Sequence, residues 1–177
     1  MRTLYICRHA KSSWADPGQD DHERPLNARG ETDAPFMARL FRERGVPADL
    51  ILSSTAVRAE STARRYATQL GAAPVERFDP FMPRPQFVLD PRLYHSSVPV
   101  ISEIVNALPV SAPHVLLFGH NPGFTEVVEW FTGEDIGNMP TSGIACISFG
   151  VNDWRLAGRG TGHLEWLDHP KRHMTAP

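Results

Sequence analysis

Only two cysteines, Cys7 and Cys146, occur among the 177 residues, and each lies in an apolar, strand-like run. That is too few for a disulfide framework, and a zinc site would need more ligands set closer together. Both are therefore expected to be buried thiols in a reducing, cytoplasmic setting. Net charge is nearly absent, with 18 Lys and Arg against 20 Asp and Glu, a formal −2. No whole-chain field favours nucleic acid or an anionic membrane. No run approaches the roughly 20 apolar residues of a membrane span. The first residues pass straight into Leu4-Tyr5-Ile6-Cys7, without the long apolar stretch of a secretory signal. Internal repeats and low-complexity blocks are missing. So are a Walker-type glycine-lysine loop and a carboxylate cluster suited to magnesium. No metal and no cofactor are expected.

What is present reads as one ordinary globular domain, residues 1–168, with a polar tail, 169–177, expected to fray. A hydrophobic fraction of 41% supplies a sizeable core. Short apolar runs predict buried strands at Leu4 to Cys7, Leu50 to Leu52 and Val115 to Phe118. Val75 to Phe78 adds a further strand, and Ile144 to Phe149 and Trp154 to Leu156 read as two closing strands. Helices are predicted from Asn27 to Arg44, with Phe36, Met37, Leu40 and Phe41 on one face, and from Ser54 or Thr55 to Gly71. Pro35 predicts a kink in the first of these, or a start near Asp33. Another helix spans Pro99 to Leu108, and one more opens at Asn121 with Pro122 in its first position. Pro80 to Pro85 reads as a surface loop. Alternating strands and helices predict an α/β sheet covered on both faces, with ligands beyond the carboxyl ends of the strands.

Those strand ends carry the chemistry. Arg8 and His9 follow the first strand, Ser53, Ser54 and then Arg58 follow the second, and Gly119 and His120 follow the third. If the strands are parallel, two arginines and two histidines meet on one sheet edge. Guanidinium groups match phosphate oxygens bidentately, and the helix opening at Asn121-Pro122 adds free N–H groups. A histidine acting as nucleophile must be neutral, and neighbouring arginines disfavour its imidazolium form.

These residues and the motifs around them resemble the histidine phosphatase superfamily. Arg8-His9-Ala10-Lys11 is similar to its RHG/RHA signature. It is followed in order by Arg24-Pro25-Leu26-Asn27-Ala28-Arg29-Gly30, by Ser53 to Ala59 with Thr62-Ala63, and by Gly119-His120-Asn121-Pro122-Gly123. Lys11 to Trp14, Leu93-Tyr94-His95 and Pro140-Thr141-Ser142-Gly143 resemble the short SixA-type branch of phosphohistidine phosphatases. The resemblance runs from about Thr3 to Leu167. It implies a three-layer α/β/α fold of the phosphoglycerate mutase-like kind, with a mostly parallel six-stranded sheet and one antiparallel strand, for which Ile144 to Phe149 is the candidate. It implies His9 as nucleophile, Arg8 and Arg58 as ligands of the phosphoryl oxygens, and His120 as a transition-state donor.

Two positions depart from the family pattern. Ala15 stands where larger members carry Asn, leaving Lys11, Ser12 or the Asn121 backbone to contact phosphate. Where many relatives carry a Glu as general acid, the region Phe78 to Tyr94 offers Asp79 and Asp90; Asp90, ahead of Leu93-Tyr94, is the candidate, unless a good leaving group dispenses with a protein acid. His95 could reach the pocket mouth or be a solvated loop residue, and His163, His169 and His173 read as surface histidines. The implied substrate is a phosphohistidine on a protein. The alternatives are small phosphomonoesters, a mutase reaction, disfavoured by the short chain, or a non-catalytic module binding phosphate or phosphoprotein.

Overall fold

The strands that carry these residues are β1 (Arg2–Arg8), β2 (Leu50–Ser53), β3 (Ala73–Pro74), β4 (Gln86–Leu89), β5 (His114–Gly119), β6 (Ile144–Phe149) and β7 (Gly162–Asp168). The helices are α1 (Ala28–Glu43), α2 (Val57–Leu70), α3 (Val98–Asn106) and α4 (Gly123–Thr132). The computed structural model describes residues 1–174. One sheet orders the strands β3-β4-β2-β5-β1-β6-β7, and β6 alone runs against the others.

Alternation along the strands builds two cores. Leu4, Ile6, Leu50, Leu52, Val115 and Leu117 face α3 and α4 through Ile101, Ile104, Phe124, Val128 and Phe131. Tyr5, Cys7, Ile51, Leu116 and Phe118 face α1 and α2 through Met37, Phe41, Ala63 and Tyr66. The sheet is thus the middle of three layers, as the resemblance implied.

Seven strands replace the expected six. Leu89 and its neighbours in β4 escape the apolar pattern because the strand is four residues long and opens on a glutamine. Gln86 is nevertheless fully buried: its amide accepts from Asp79 N at 2.9 Å and donates to Asp79 O at 2.6 Å, closing the proline-rich loop. The strand expected at Val75 to Phe78 is absent; the two-residue strand Ala73–Pro74 lies just before it, and Val75 to Phe78 belong to the connecting loop. Trp154 to Leu156 is a 3-10 turn, not a strand. Its indole is buried and donates to Ala112 O at 2.9 Å, so the apolar signal there reports an anchor. The sheet closes instead through β7.

Helix ends also differ. The first helix starts at Ala28, not near Asp33, continues unbroken past Pro35, and is capped by Asn27, whose Oδ1 accepts from Gly30 N at 2.9 Å. The second has Ala56 at its cap position; Ser54 Oγ accepts from Ala56 N at 3.2 Å, and Thr55 Oγ1 pairs with His22 Nε2 instead. Asn121 does not cap α4. Its amide donates to Asn138 Oδ1 at 2.7 Å and Met139 O at 3.1 Å. Of the expected frayed tail, residues 169–174 are held: Pro170 is buried, and His173 Nε2 lies 2.8 Å from Asp168 Oδ1 with its ring against Phe36. Residues 175–177 lie outside the described residues. No helix of the described residues is long and apolar enough to cross a membrane.

Candidate active site

Parallel pairing of β1 with β5, and of β5 with β2, brings the three strand ends level: Arg8 lies opposite Gly119, and Ser53 opposite Phe118. Backbone bonds then hold the residue beyond β1. His9 N donates to Gly119 O at 3.1 Å, and His9 O accepts from Ser142 N at 3.1 Å. The next residue is latched to α2, since Ala10 N donates to Thr62 Oγ1 at 3.0 Å and that hydroxyl donates to Arg58 O at 2.7 Å. Gly30 lets α1 press against this loop: a Cβ there would sit 2.2 Å from Lys11 O. Gly119 is small for a similar reason, because a Cβ would meet the Phe124 ring at 2.4 Å.

The orientation of His9 follows from one bond. Its Nδ1 lies 2.7 Å from Ala10 O, and a carbonyl can only accept, so Nδ1 carries the proton and Nε2 keeps its lone pair. Burial lowers the His9 pKa to about 4. The Ala10 carbonyl pulls the other way, and Arg58, Arg8 and Arg24 push it down again. Burial, more than the arginines the sequence pointed to, is therefore the main reason the ring is neutral. His120 packs beside it with ring centroids 5.1 Å apart, its pKa lowered to about 2 by burial first, then by His9 and Arg58. The Nε2 of His120 lies 2.9 Å from Ser54 Oγ, while its Nδ1 is buried with no protein partner among the described residues. Arg8 donates from Nη1 to Met139 O at 2.6 Å, and its buried Nε is likewise unpartnered.

Above these groups opens a cavity of about 410 Å³. Four cationic side chains, Arg8, Lys11, Arg24 and Arg58, line it against one carboxylate, Asp21. The structure thus brings together Arg8, His9, Arg58 and His120, with exposed Lys11 at the rim. Asn121 also lines the cavity, its amide committed to Asn138 and Met139. A second cavity of about 490 Å³, beside Arg64 and Phe87, holds no histidine and no converging set of cations.

Asp90 is not brought to the site. Its Oδ1 accepts from Arg92 N at 3.0 Å, capping the 3-10 turn Pro91–Leu93, and its Oδ2 accepts from Arg92 Nη2 at 2.6 Å. The carboxylate that does line the cavity, Asp21, was hidden in the charged run Asp20-Asp21-His22-Glu23, which reads as solvated surface. Asp21 Oδ2 accepts from Arg58 Nη2 at 2.8 Å and from Tyr94 Oη at 2.9 Å, and lies 3.1 Å from His95 Nε2. Its Oδ1 accepts from Arg24 Nη1 at 2.7 Å. Burial alone would raise its pKa, but hydrogen bonds from Tyr94, Arg58, His95 and Arg24 outweigh it and hold the carboxyl well below the usual range. Arg24 also donates to Ser13 O and Ser12 Oγ, and its guanidinium lies 3.2 Å from the Trp14 ring centre. Trp14 itself is 73% exposed at the cavity rim. Of the two places the sequence leaves open for His95, the structure gives it the cavity mouth; Arg24 opens the family-like run Arg24 to Gly30 without an assigned role, and nothing local singles out Asp21. His163, His169 and His173 stay outside the cavity, and no group of three or more His, Cys, Asp or Glu among the described residues is placed to hold a metal.

The model of the histidine phosphatase superfamily (branch 1) matches residues 4–82. An uncharacterised chloroplastic protein of Arabidopsis thaliana is 30% identical, over 96% of this chain and 78% of the relative. An uncharacterised protein of Mycobacterium tuberculosis is 29% identical, over 79% of this chain and 85% of its own. Among solved structures, a protein assigned as the phosphohistidine phosphatase SixA of Agrobacterium tumefaciens superposes with a TM-score of 0.76 at 28% identity, covering 96% of this chain and 98% of that one. The protein histidine phosphatase SixA in complex with tungstate has the same fold, with a TM-score of 0.77 at 23% identity, covering 97% and 99% of the two chains.

Proposed function

Because the chain belongs to the histidine phosphatase superfamily, in its SixA-type branch, and is a hydrolase acting on phosphoric esters, we propose that it removes the phosphoryl group of a phosphohistidine on a protein, with His9 as the transient carrier. Neutral His9, with Nδ1–H tied to Ala10 O and Nε2 free, carries this reading. Nε2 attacks phosphorus in line, the bond to the leaving group breaks, and water then cleaves the N–P bond. Arg8, Arg58 and His120 hold the phosphoryl oxygens. The buried Arg8 Nε and His120 Nδ1, unpartnered among the described residues, are the donors an entering phosphoryl group satisfies. Arg58 is already committed to Asp21, so the phosphoryl group shares or displaces that carboxylate. Charge is neutralised by fixed cations, with no metal in the scheme. Accordingly, EDTA is expected to leave the rate within twofold of the untreated enzyme; a large loss reversed by one divalent ion would replace the scheme with a metal mechanism.

A cavity with an exposed tryptophan at its rim suits a macromolecular substrate. Exposed tryptophans that become buried at interfaces are frequent binding hot spots. Trp14→Ala is therefore expected to raise KM for a phosphohistidine protein about tenfold, while kcat/KM for p-nitrophenyl phosphate changes less than about threefold. Equal effects on both substrates would remove Trp14 from substrate choice.

The direct test compares a phosphohistidine phosphotransfer protein with p-nitrophenyl phosphate and traps the enzyme during turnover. An acid-labile, alkali-stable phosphoenzyme is expected with both, and kcat/KM is expected to be higher with the protein. A clear preference for small esters would assign the chain to general phosphomonoesterase chemistry.

A further inference from the structure

We infer that His95, oriented by Asp21, is the general acid for the leaving group and the general base for water in the second step. This rests on the covalent His9 reading and supplies the proton carrier which that reading lacks. The acid expected at Asp90 is absent from the cavity, and Asp21, though present, is held ionised by its four donors and has no proton to give. Tyr94 spends its proton on Asp21. Arg8, Arg58 and Arg24 keep theirs. His9 is the nucleophile, and His120 belongs to the phosphoryl-binding set.

Lys11 and His95 remain at the mouth above His9, and of the two His95 is the one oriented by a carboxylate of the cavity. It lines the same cavity, half-exposed, and stacks on His120 with ring centroids 5.4 Å apart and planes 28° from parallel. The adjacent Tyr94 ring packs against it as well, with centroids 4.2 Å apart. The groups facing it are thus the Asp21 carboxylate, the Tyr94 phenol and the His120 ring, with Arg58 beyond Asp21. Its Nε2 lies 3.1 Å from Asp21 Oδ2, and its Nδ1 has no protein partner among the described residues. A carboxylate on one ring nitrogen and a free second nitrogen is the arrangement of a histidine built to pass a proton.

The backbone supports a placed side chain. His95 sits at φ +47°, in the left-handed region that non-glycine residues seldom occupy. Such residues persist where surrounding structure determines them, and they gather at functional sites. Here buried Leu93 anchors the preceding 3-10 turn, and Tyr94 Oη fixes the segment to Asp21.

The steps balance. As Nε2 of His9 bonds to phosphorus and the P–O bond of the ester breaks, the Nδ1 proton of His95 imidazolium passes to the departing oxygen, giving the alcohol and neutral His95. Water then attacks the phosphorylated His9. His95 Nδ1 takes a proton from that water as its oxygen bonds to phosphorus and the N–P bond breaks. Phosphate leaves, His9 is neutral again and His95 is again imidazolium. With a phosphohistidine substrate the His95 proton passes to the departing ring nitrogen, which leaves as neutral imidazole, a better leaving group than an alkoxide; His95 is then neutral and the second step is the same for both substrates.

His95→Asn tests this, since asparagine tolerates positive φ. With phenyl phosphate, whose leaving group is poor, kcat/KM is expected to fall about 100-fold. With p-nitrophenyl phosphate the loss of kcat/KM should be under about fivefold. There kcat should fall together with KM, because the phosphoenzyme accumulates when its hydrolysis lacks a base. That accumulation also shows that the variant is folded and its nucleophile intact. Equal losses of kcat/KM for the two esters, no loss for either, or turnover without accumulated phosphoenzyme would each overturn the assignment. If His9→Ala retains hydrolysis, it is the covalent reading beneath it that fails.

Discussion

His9→Ala should lose at least about 10⁴-fold in kcat on every substrate, while inorganic phosphate binds within a few-fold of its wild-type affinity. Both halves of the expectation come from the geometry. The lone pair that attacks is Nε2 of His9, and no neighbour can replace it: His120 Nε2 is engaged with Ser54 Oγ, and the His120 ring lies 5.1 Å away. The anion-binding groups do not depend on His9. Arg8 is held by Met139 O, Arg58 by Asp21, and His120 by Ser54. The side chain of His9 bonds only to the carbonyl of the adjacent residue, so its loss unties nothing distant. Steady-state rates with p-nitrophenyl phosphate, and phosphate titration by calorimetry, measure the two halves separately. The acid-labile phosphoenzyme should disappear in the same variant. Hydrolysis surviving at a wild-type rate would remove His9 from the reaction. Phosphate binding without any hydrolysis in the wild type would make the chain a binding module.

Acid should weaken the fold earlier than carboxylate titration alone would. His9 and His120 have pKa values lowered to about 4 and about 2 in the folded chain, against about 6.5 when unfolded. Between those values the unfolded chain binds more protons, so stability is full above about pH 6.5 and falls as pH drops. At pH 5 each histidine has cost roughly 1.5 pH units at 1.36 kcal/mol, about 2 kcal/mol, or about 4 kcal/mol for the pair. His114 and His169, lowered by burial, act in the same direction. Asp21 and Asp168, both held low, lose their contribution only as pH falls through the carboxylate range. The window between pH 7 and 5 therefore belongs to the histidines. Urea denaturation should show the midpoint falling by about 1–2 M between pH 7 and 5. His9→Asn should remove about half of that change. A midpoint independent of pH in this range would show that both rings take up protons without unfolding.

Much of this was legible in the chain. Leu4 to Cys7, Leu50 to Leu52 and Val115 to Phe118 are buried on both faces, and continuous apolar runs announce such strands. The residues just beyond them are the floor of the cavity, so Arg8, His9, Arg58 and His120 could be grouped before any coordinates. The elements that escaped are those where tertiary contacts override the local pattern. Gln86 hides β4 because its amide is satisfied by Asp79, a partner that exists only once the loop has folded. Trp154 imitates a strand because a buried indole leaves the same apolar trace whichever backbone carries it. The edge strand β7 did leave a signal, the alternation His163-Leu164-Glu165. The rim was the least legible part. Asp21 reaches Arg58 across 37 residues and Tyr94 across 73, and nothing in Asp20-Asp21-His22-Glu23 distinguishes it from a solvated run. Asp90 had the expected chemistry in nearly the expected place, but a residue two positions before the 3-10 turn's Arg92 was better used as its cap.

The division between floor and rim has an evolutionary reading. Arg8, His9 and His120 stand on strand ends whose neighbours fill both cores, so replacing that frame disturbs folding and chemistry together. Trp14, Asp21 and His95 stand on connecting segments outside the sheet. Drift in those segments can retune which molecule is admitted, and how its leaving group is handled, while the reaction centre is inherited unchanged. A lineage built on this plan can diversify its clientele by rewriting two loops.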